Sequence, residues 1–168
     1  MTVSKANVGA ADSFRDSPDL YETDFYAWTQ TQAALLGHQR WDQIDVPNLI
    51  EEIASLGRQQ RQELRNRLSL LIGHLLKCQY QPQRRSRSWL GTIRIQRREV
   101  ARLLKENPSL KPYLEAALPE VYDNARDLAM AETDLPEPTF PARCGYRWAE
   151  ILDPGFYPGE PSDLMGEF

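Results

Sequence analysis

The segment from Asp45 to Tyr80, "DVPNLIEEIASLGRQQRQELRNRLSLLIGHLLKCQY", decides the fold. Leu49, Ile53, Leu56, Gln60, Leu64, Leu68, Leu71, Leu75 and Cys78 recur at steps of three and four, the spacing of one face of an α-helix. Asp45 stands at the cap and Pro47 near the first helical position, where a missing N–H costs nothing. Pro82 ends the pattern. At about 1.5 Å per residue such a helix would be roughly 50 Å long. Gly57 marks the place where it would kink or divide into two helices in series.

Outward toward the N-terminus, "YETDFYAWTQTQAALLGH" predicts a first helix. Thr23 is the expected N-cap, Asp24 lies in the first turn and Gly37 suits the C-terminal end. Phe25, Trp28, Gln32 and Leu35 share a stripe. The residues before it, 1–18, are small, polar and aperiodic and read as a mobile leader.

Toward the C-terminus a third helix is expected over Ser88–Glu106, with Trp89, Ile93, Gln96, Val100 and Leu103 on one face. Asn107-Pro108 closes it and opens "PSLKPYLEAALPEVYDNARDLAMAETD". Pro119 should divide that segment into two helices, since an interior proline costs about 3 kcal/mol. Beyond Leu135 the chain turns rich in Pro, Gly and aromatics and reads as an arm laid across the bundle, with one short helix near Tyr146–Leu152. The expected architecture is all-α: a helical bundle with one long helix, kinked or straight, shorter packed helices and a Pro/aromatic-rich C-terminal arm. Residues 19–158 form one domain in this reading and 159–168 a flexible tail.

Composition narrows the class. A 168-residue chain with 41% hydrophobic residues can bury a core, and no run approaches the roughly 18 apolar residues of a membrane helix. The N-terminus lacks a signal peptide's apolar stretch, so a cytoplasmic, membrane-free protein is expected. Its two cysteines, Cys78 and Cys144, form neither a disulfide framework nor a metal-type pair.

Charge is polarised. Arg58–Lys105 holds 13 Lys and Arg against two acids, Glu63 and Glu99, while the whole chain has 20 basic and 24 acidic residues and a net charge of −4. The stretch "YQPQRRSRSW" gathers the arginines in a turn. Arg85 and Arg87 precede a helix N-terminus, where cations are disfavoured, so something negative should face them. Carboxylates of the chain itself, on Glu51, Glu52, Glu115, Glu120, Asp123 or Asp127, are one source. The arginines would then be structural forks stacked on Trp89 or Tyr80. A phosphate or nucleic acid is the other source, met by Arg84, Arg85, Arg87, Trp89, Arg94, Arg97 and Arg98. The first is preferred, because the chain is rich in acid and its pI lies near 5.3.

His74 shares an apolar helix face with Leu71 and Cys78. Two ligands at that spacing do not make a metal site, and a satisfied core histidine is the simpler reading. Glu51 and Glu52 point about 100° apart on a helix and cannot act as facing carboxylates. Glu52 should sit inward and meet an arginine, with Glu51 solvated. Glu51, Glu52, His74 and Tyr80 are candidates for a buried polar network. No nucleophile elbow and no phosphate-binding loop is present, nothing demands an enzyme, and neither cofactor nor metal is expected.

Three stretches carry a resemblance: "LYETDFYAWTQTQAALL", "NLIEEIASLGRQQRQELRNRLSLLIGHLLKCQYQPQRRSRSWLGTIRIQR" and "NPSLKPYLEAALPEVYDNARDLAMAET". Together they resemble a bacterial family, domain-of-unknown-function family number twenty-nine, over about Leu20–Tyr157. The resemblance implies an all-helical fold and no activity. It places Glu51, Glu52, His74, Arg84, Arg85, Arg87 and Trp89 within family-like motifs. The leading expectation for function is a binding or regulatory module that acts by contact with a protein partner or as a homodimer. Binding of nucleic acid or a phosphorylated ligand by the Arg84–Arg98 cluster is the alternative. An enzyme with a polar or metal site around His74 and Glu52 is the third.

Overall fold

The structure is a computed structural model that describes residues 20–159. The leader expected over 1–18 lies outside those residues, as does the tail expected over 159–168 apart from Gly159. Six α-helices follow in chain order: α1 Leu20–Thr23, α2 Phe25–Gly37, α3 Val46–Tyr80, α4 Arg87–Glu106, α5 Tyr113–Thr133 and α6 Trp148–Leu152. Among the described residues there is no strand, and no helix is long and apolar enough to cross a membrane. The all-α architecture expected from the sequence is the one observed.

The chain divides into two compact units, one up to Leu56 and the other from Gly57 onward. In the first unit, Asp24 rather than Thr23 caps α2, because its carboxylate reaches back to the Ala27 N–H at 3.0 Å. Thr23 instead closes the short α1. Trp28 and Gln32 of the predicted stripe are buried, whereas Phe25 is exposed. Asp45 ties this unit together: it accepts from the Trp28 indole at 3.1 Å and from the Asn48 side chain at 2.8 Å, and its own N–H donates to Gln32 Oε1 at 2.9 Å. Burial works against the Asp45 carboxylate, yet the bonds from Asn48 and Trp28 outweigh it and hold its pKa below the usual value.

Helix α3 runs through Gly57 without interruption. A helical glycine costs only about 1 kcal/mol relative to alanine, too little by itself to break a long helix. The predicted core face of α3 is real only in part. From Leu64 onward Leu64, Leu68, Leu71, Leu75 and Cys78 are buried, but Ile53 and Leu56 are each 61% exposed.

The second unit contains the main core. Leu68, Leu71, Ile72 and Leu75 of α3 meet Leu90, Ile93, Val100 and Leu104 of α4 and Val121, Ala125 and Ala129 of α5. Helix α5 is continuous through Pro119, contrary to the division expected there. The residues around the proline, Ala117 and Val121, are buried in the core, and their packing holds the helix across the lost hydrogen bond. Phe140 and Ile151 of the segment after α5 enter the same core, so this arm is part of the packed unit.

Candidate functional site

Helix α3 ends with an unusual demand. The carbonyl of Cys78 lies in its last turn and would ordinarily accept from the N–H four residues on. That residue is Pro82, which has none. Arg85 supplies the missing donors: its guanidinium gives Nε at 3.1 Å and Nη2 at 2.9 Å to the Cys78 carbonyl. Nη2 also donates to the Pro158 carbonyl. Gly159, at φ +86°, follows directly. A Cβ there would lie 2.7 Å from Arg85 Nη2 and 2.9 Å from the Cys78 oxygen, so the close approach of arm and helix end requires glycine.

Arg97 repeats the device one layer along. Its Nε donates to Ile151 at 2.8 Å, Nη1 to Pro154 at 3.3 Å and Nη2 to Phe156 at 2.6 Å, all backbone carbonyls. Its guanidinium also lies 5.2 Å from the Tyr157 ring centre. Burial pushes the Arg97 pKa down, against the pull of Tyr157 and Asp153. Arg85 and Arg97 thus both hold backbone carbonyls of the arm. Of the candidate acids, Glu120 faces Arg65, at 3.3 Å.

A polar group lies beside them on the last two turns of α3. Lys77 is 1% exposed, and its ammonium pairs with Glu132 of α5 and sits 4.1 Å from the centre of the Trp89 ring. Trp89 therefore stacks on a lysine rather than on an arginine. His74, three residues back, is buried and its Nδ1 lies 2.9 Å from the Leu70 carbonyl. Burial, and then the Lys77 charge, lower the His74 pKa. Gln81 Nε2 donates to the Thr133 carbonyl at 3.1 Å, which satisfies the last residue of α5. The other amide atom, Gln81 Oε1, is buried with no hydrogen-bond partner. Tyr80 lies edge-on to Phe140, centroids 5.3 Å apart, and burial raises its pKa.

The remaining predicted residues scatter. Arg84 is exposed in the 3₁₀ turn Pro82–Arg84, Arg87 is exposed at the start of α4 behind its N-cap Ser86, Arg94 is half-buried and Arg98 exposed. Glu51 is exposed. Glu52 belongs to the first unit and meets a tyrosine, not an arginine: the Tyr21 hydroxyl donates to its Oε1 at 2.7 Å. That bond, with some help from burial, pushes the Tyr21 pKa up to about 12. His74 belongs to the second unit. Among the described residues no three His, Cys, Asp or Glu side chains are placed to hold a metal ion.

Lys77, Glu132 and Gln81 were not singled out from the sequence as a site. The signal was present: Lys77 falls one turn beyond His74 on the same helix face, and a lysine on a leucine-rich face needs a partner.

These features define a helical-bundle protein in which Lys77, Arg85 and Arg97 of the basic segment tie elements of the second unit together. The chain belongs to the family described as Domain of unknown function DUF29, whose model matches residues 20–157. No curated protein and no solved structure matches it.

Proposed function

We propose that the protein is a contact module that self-associates through the first half of α3. The observation that carries this reading is an uncovered aliphatic stripe. Val46, Ile50, Ile53 and Leu56 are 50%, 62%, 61% and 61% exposed. At 100° per residue they span an arc of about 120° on one side of the helix, with Gly57 inside it. Single exposed aliphatics are ordinary; four on one helical stripe mark an interaction surface.

Charge selects a second copy of the chain as the occupant. Glu51 and Arg58 are two turns apart on the same flank of the stripe, the acid first and the base second. Two copies packed antiparallel bring the acid of one against the base of the other. Packed parallel, the flank of Glu51 would meet the flank of Glu52. The surface is self-complementary under a two-fold axis, as an isologous dimer requires.

Light scattering on size-exclusion fractions over a range of protein concentrations tests this. The parent is expected to dimerise. Ile53→Glu is expected to be monomeric and to match the parent's melting temperature at concentrations too low for the parent to dimerise, where the side chain is in water. Glu51→Arg should weaken the dimer and Glu51→Arg with Arg58→Glu should restore it. A parent that stays monomeric at every concentration rejects the second copy and leaves the stripe to a helix of a different protein.

A further inference from the structure

We propose that the cleft between α5 and the arm binds a small zwitterion with an apolar body, an amino acid or a short peptide. The cleft has a volume of about 430 Å³. Leu118, Pro119, Tyr122 and Asp123 of α5 line one side, and Ala142, Arg143 and Cys144 of the arm line the other. All seven belong to the second unit, whereas the exposed stripe on α3 belongs to the first.

The two walls are fixed to each other. Tyr122 is buried, and its hydroxyl donates to the Pro141 carbonyl at 3.0 Å. Burial pushes the Tyr122 pKa up to about 12, so at neutral pH the hydroxyl keeps the proton it donates. Phe140, two residues before Ala142, is anchored in the core. The cleft is therefore built before a ligand arrives, and binding need not order it. One wall also carries Pro119. A proline inside a helix removes a backbone hydrogen bond, and such breaches of local preference gather at functional sites.

Each wall brings one exposed charge, Asp123 from α5 and Arg143 from the arm. Among the described residues neither forms an ion pair or a side-chain hydrogen bond. The charge of Asp123 acts on the Tyr122 phenol, which is neutral and does not cancel it. Other charges on α5 are directed elsewhere: Glu120 faces Arg65 at 3.3 Å and Arg126 faces Glu137 at 3.4 Å. Asp127, one turn beyond Asp123, adds to the negative potential on the helix side. A cation alone would answer Asp123 and be repelled by Arg143, and an anion alone would meet the reverse. A wholly apolar ligand would cover Leu118, Pro119 and Ala142 and strip water from both charges. A zwitterion answers both charges and lays its body on the apolar lining. The guanidinium offers its carboxylate paired donors. The volume is at the lower end for small-molecule sites and suits a single amino acid or a dipeptide.

Titration calorimetry with leucine, phenylalanine and leucyl-leucine tests the proposal, with isoamylamine and isocaproate as the matching amine and acid. At least one of the three zwitterions should bind, and more tightly than the amine or the acid. Binding of leucine or phenylalanine assigns a free amino acid, and binding of leucyl-leucine alone assigns a peptide. Asp123→Asn and Arg143→Gln are each expected to weaken that binding about tenfold, the loss of a charge-assisted contact. Ala142→Trp should block the cleft without altering its charge. All three positions are exposed, so melting temperatures should match the parent. Absence of binding by all three zwitterions at millimolar concentration overturns the proposal, as does binding that none of the substitutions weakens. Isoamylamine or isocaproate binding as tightly as the zwitterions would overturn it too, since one of the two charges would then take no part.

Discussion

The ammonium of Lys77 rests 4.1 Å from the centre of the Trp89 ring. Glu132 completes its surroundings, and the two ends of that ion pair differ sharply in exposure: 2% for the Lys77 side chain and 42% for Glu132. A buried charge stripped of its partner is costly, while a half-exposed carboxylate stripped of its partner is simply hydrated. Glu132→Ala should therefore destabilise by about 2 kcal/mol, below the range for a fully buried pair because solvent reaches Glu132. Lys77→Met, which keeps the volume of the stem and removes the charge, should cost less than about 1 kcal/mol. Urea denaturation of the two variants checks the order. Lys77→Met as the weaker protein would mean that the cation–π contact, not Glu132, carries the lysine.

Arg97 holds three carbonyls with one rigid fork. Arg97→Leu removes all three donors and should cost about 3 kcal/mol, part of it recovered as the arm loosens and hydrates. Arg97→Lys should recover little, because one ammonium on a flexible stem cannot reproduce the fork. Limited proteolysis gives the local readout: both variants should be cut first between Leu152 and Phe156. Parent-like resistance in Arg97→Lys would show that charge rather than fork geometry retains the arm.

Much of this molecule was legible in the sequence, and the failures have specific causes. The step of three and four from Leu64 to Cys78 identified α3, and the face from Trp89 to Leu103 identified α4, which starts one residue before the expected Ser88 behind its N-cap Ser86, with the Trp89 N–H 3.3 Å from the Ser86 hydroxyl. The same periodicity from Leu49 to Leu56 suggested core where there is solvent, because an amphipathic pattern records that a face wants covering and not what covers it. Pro119 was read as a break and Gly57 as a kink or break by local cost alone; the buried Ala117 and Val121 offset that cost at Pro119, and at Gly57 the cost of about 1 kcal/mol is too small to interrupt the helix. The carbonyl partners of Arg85 and Arg97 were missed for a different reason. Acids can be counted in a sequence, whereas the carbonyl oxygens that Arg85 and Arg97 hold belong to every residue and leave no trace in composition.

Gly159 should be intolerant of a side chain although it is exposed. At φ +86° an alanine is strained, and its Cβ would lie 2.7 Å from Arg85 Nη2. Gly159→Ala is expected to release the end of the arm and leave the core intact, at about 1–2 kcal/mol. Hydrogen exchange should accelerate over residues 155–159 and stay unchanged in α4. Exchange that accelerates throughout the second unit would mean that the Arg85 contact secures the whole unit and not the arm alone.

His74 sets a pH dependence whose sign follows from its surroundings. Burial first, and then the adjacent Lys77 charge, hold the imidazole below its ordinary pKa of 6.5, and neither the Leu70 carbonyl nor Glu132 reverses this. The folded protein therefore keeps His74 neutral at a pH where the unfolded chain takes up a proton. Below about 6.5 the unfolded state binds more protons, so stability falls as the pH falls, by at most about 1.4 kcal/mol per unit for one group. Above 6.5 both states are neutral and His74 contributes no slope. Between pH 7 and 5.5, above the ordinary carboxylate range, the midpoint of urea unfolding should decline in the parent. In His74→Met the decline should be shallower, since the substitution removes the titrating group and retains much of the volume. An equal slope in the two proteins would mean that His74 is protonated in the fold, and Glu132 would then have to balance two buried cations rather than one.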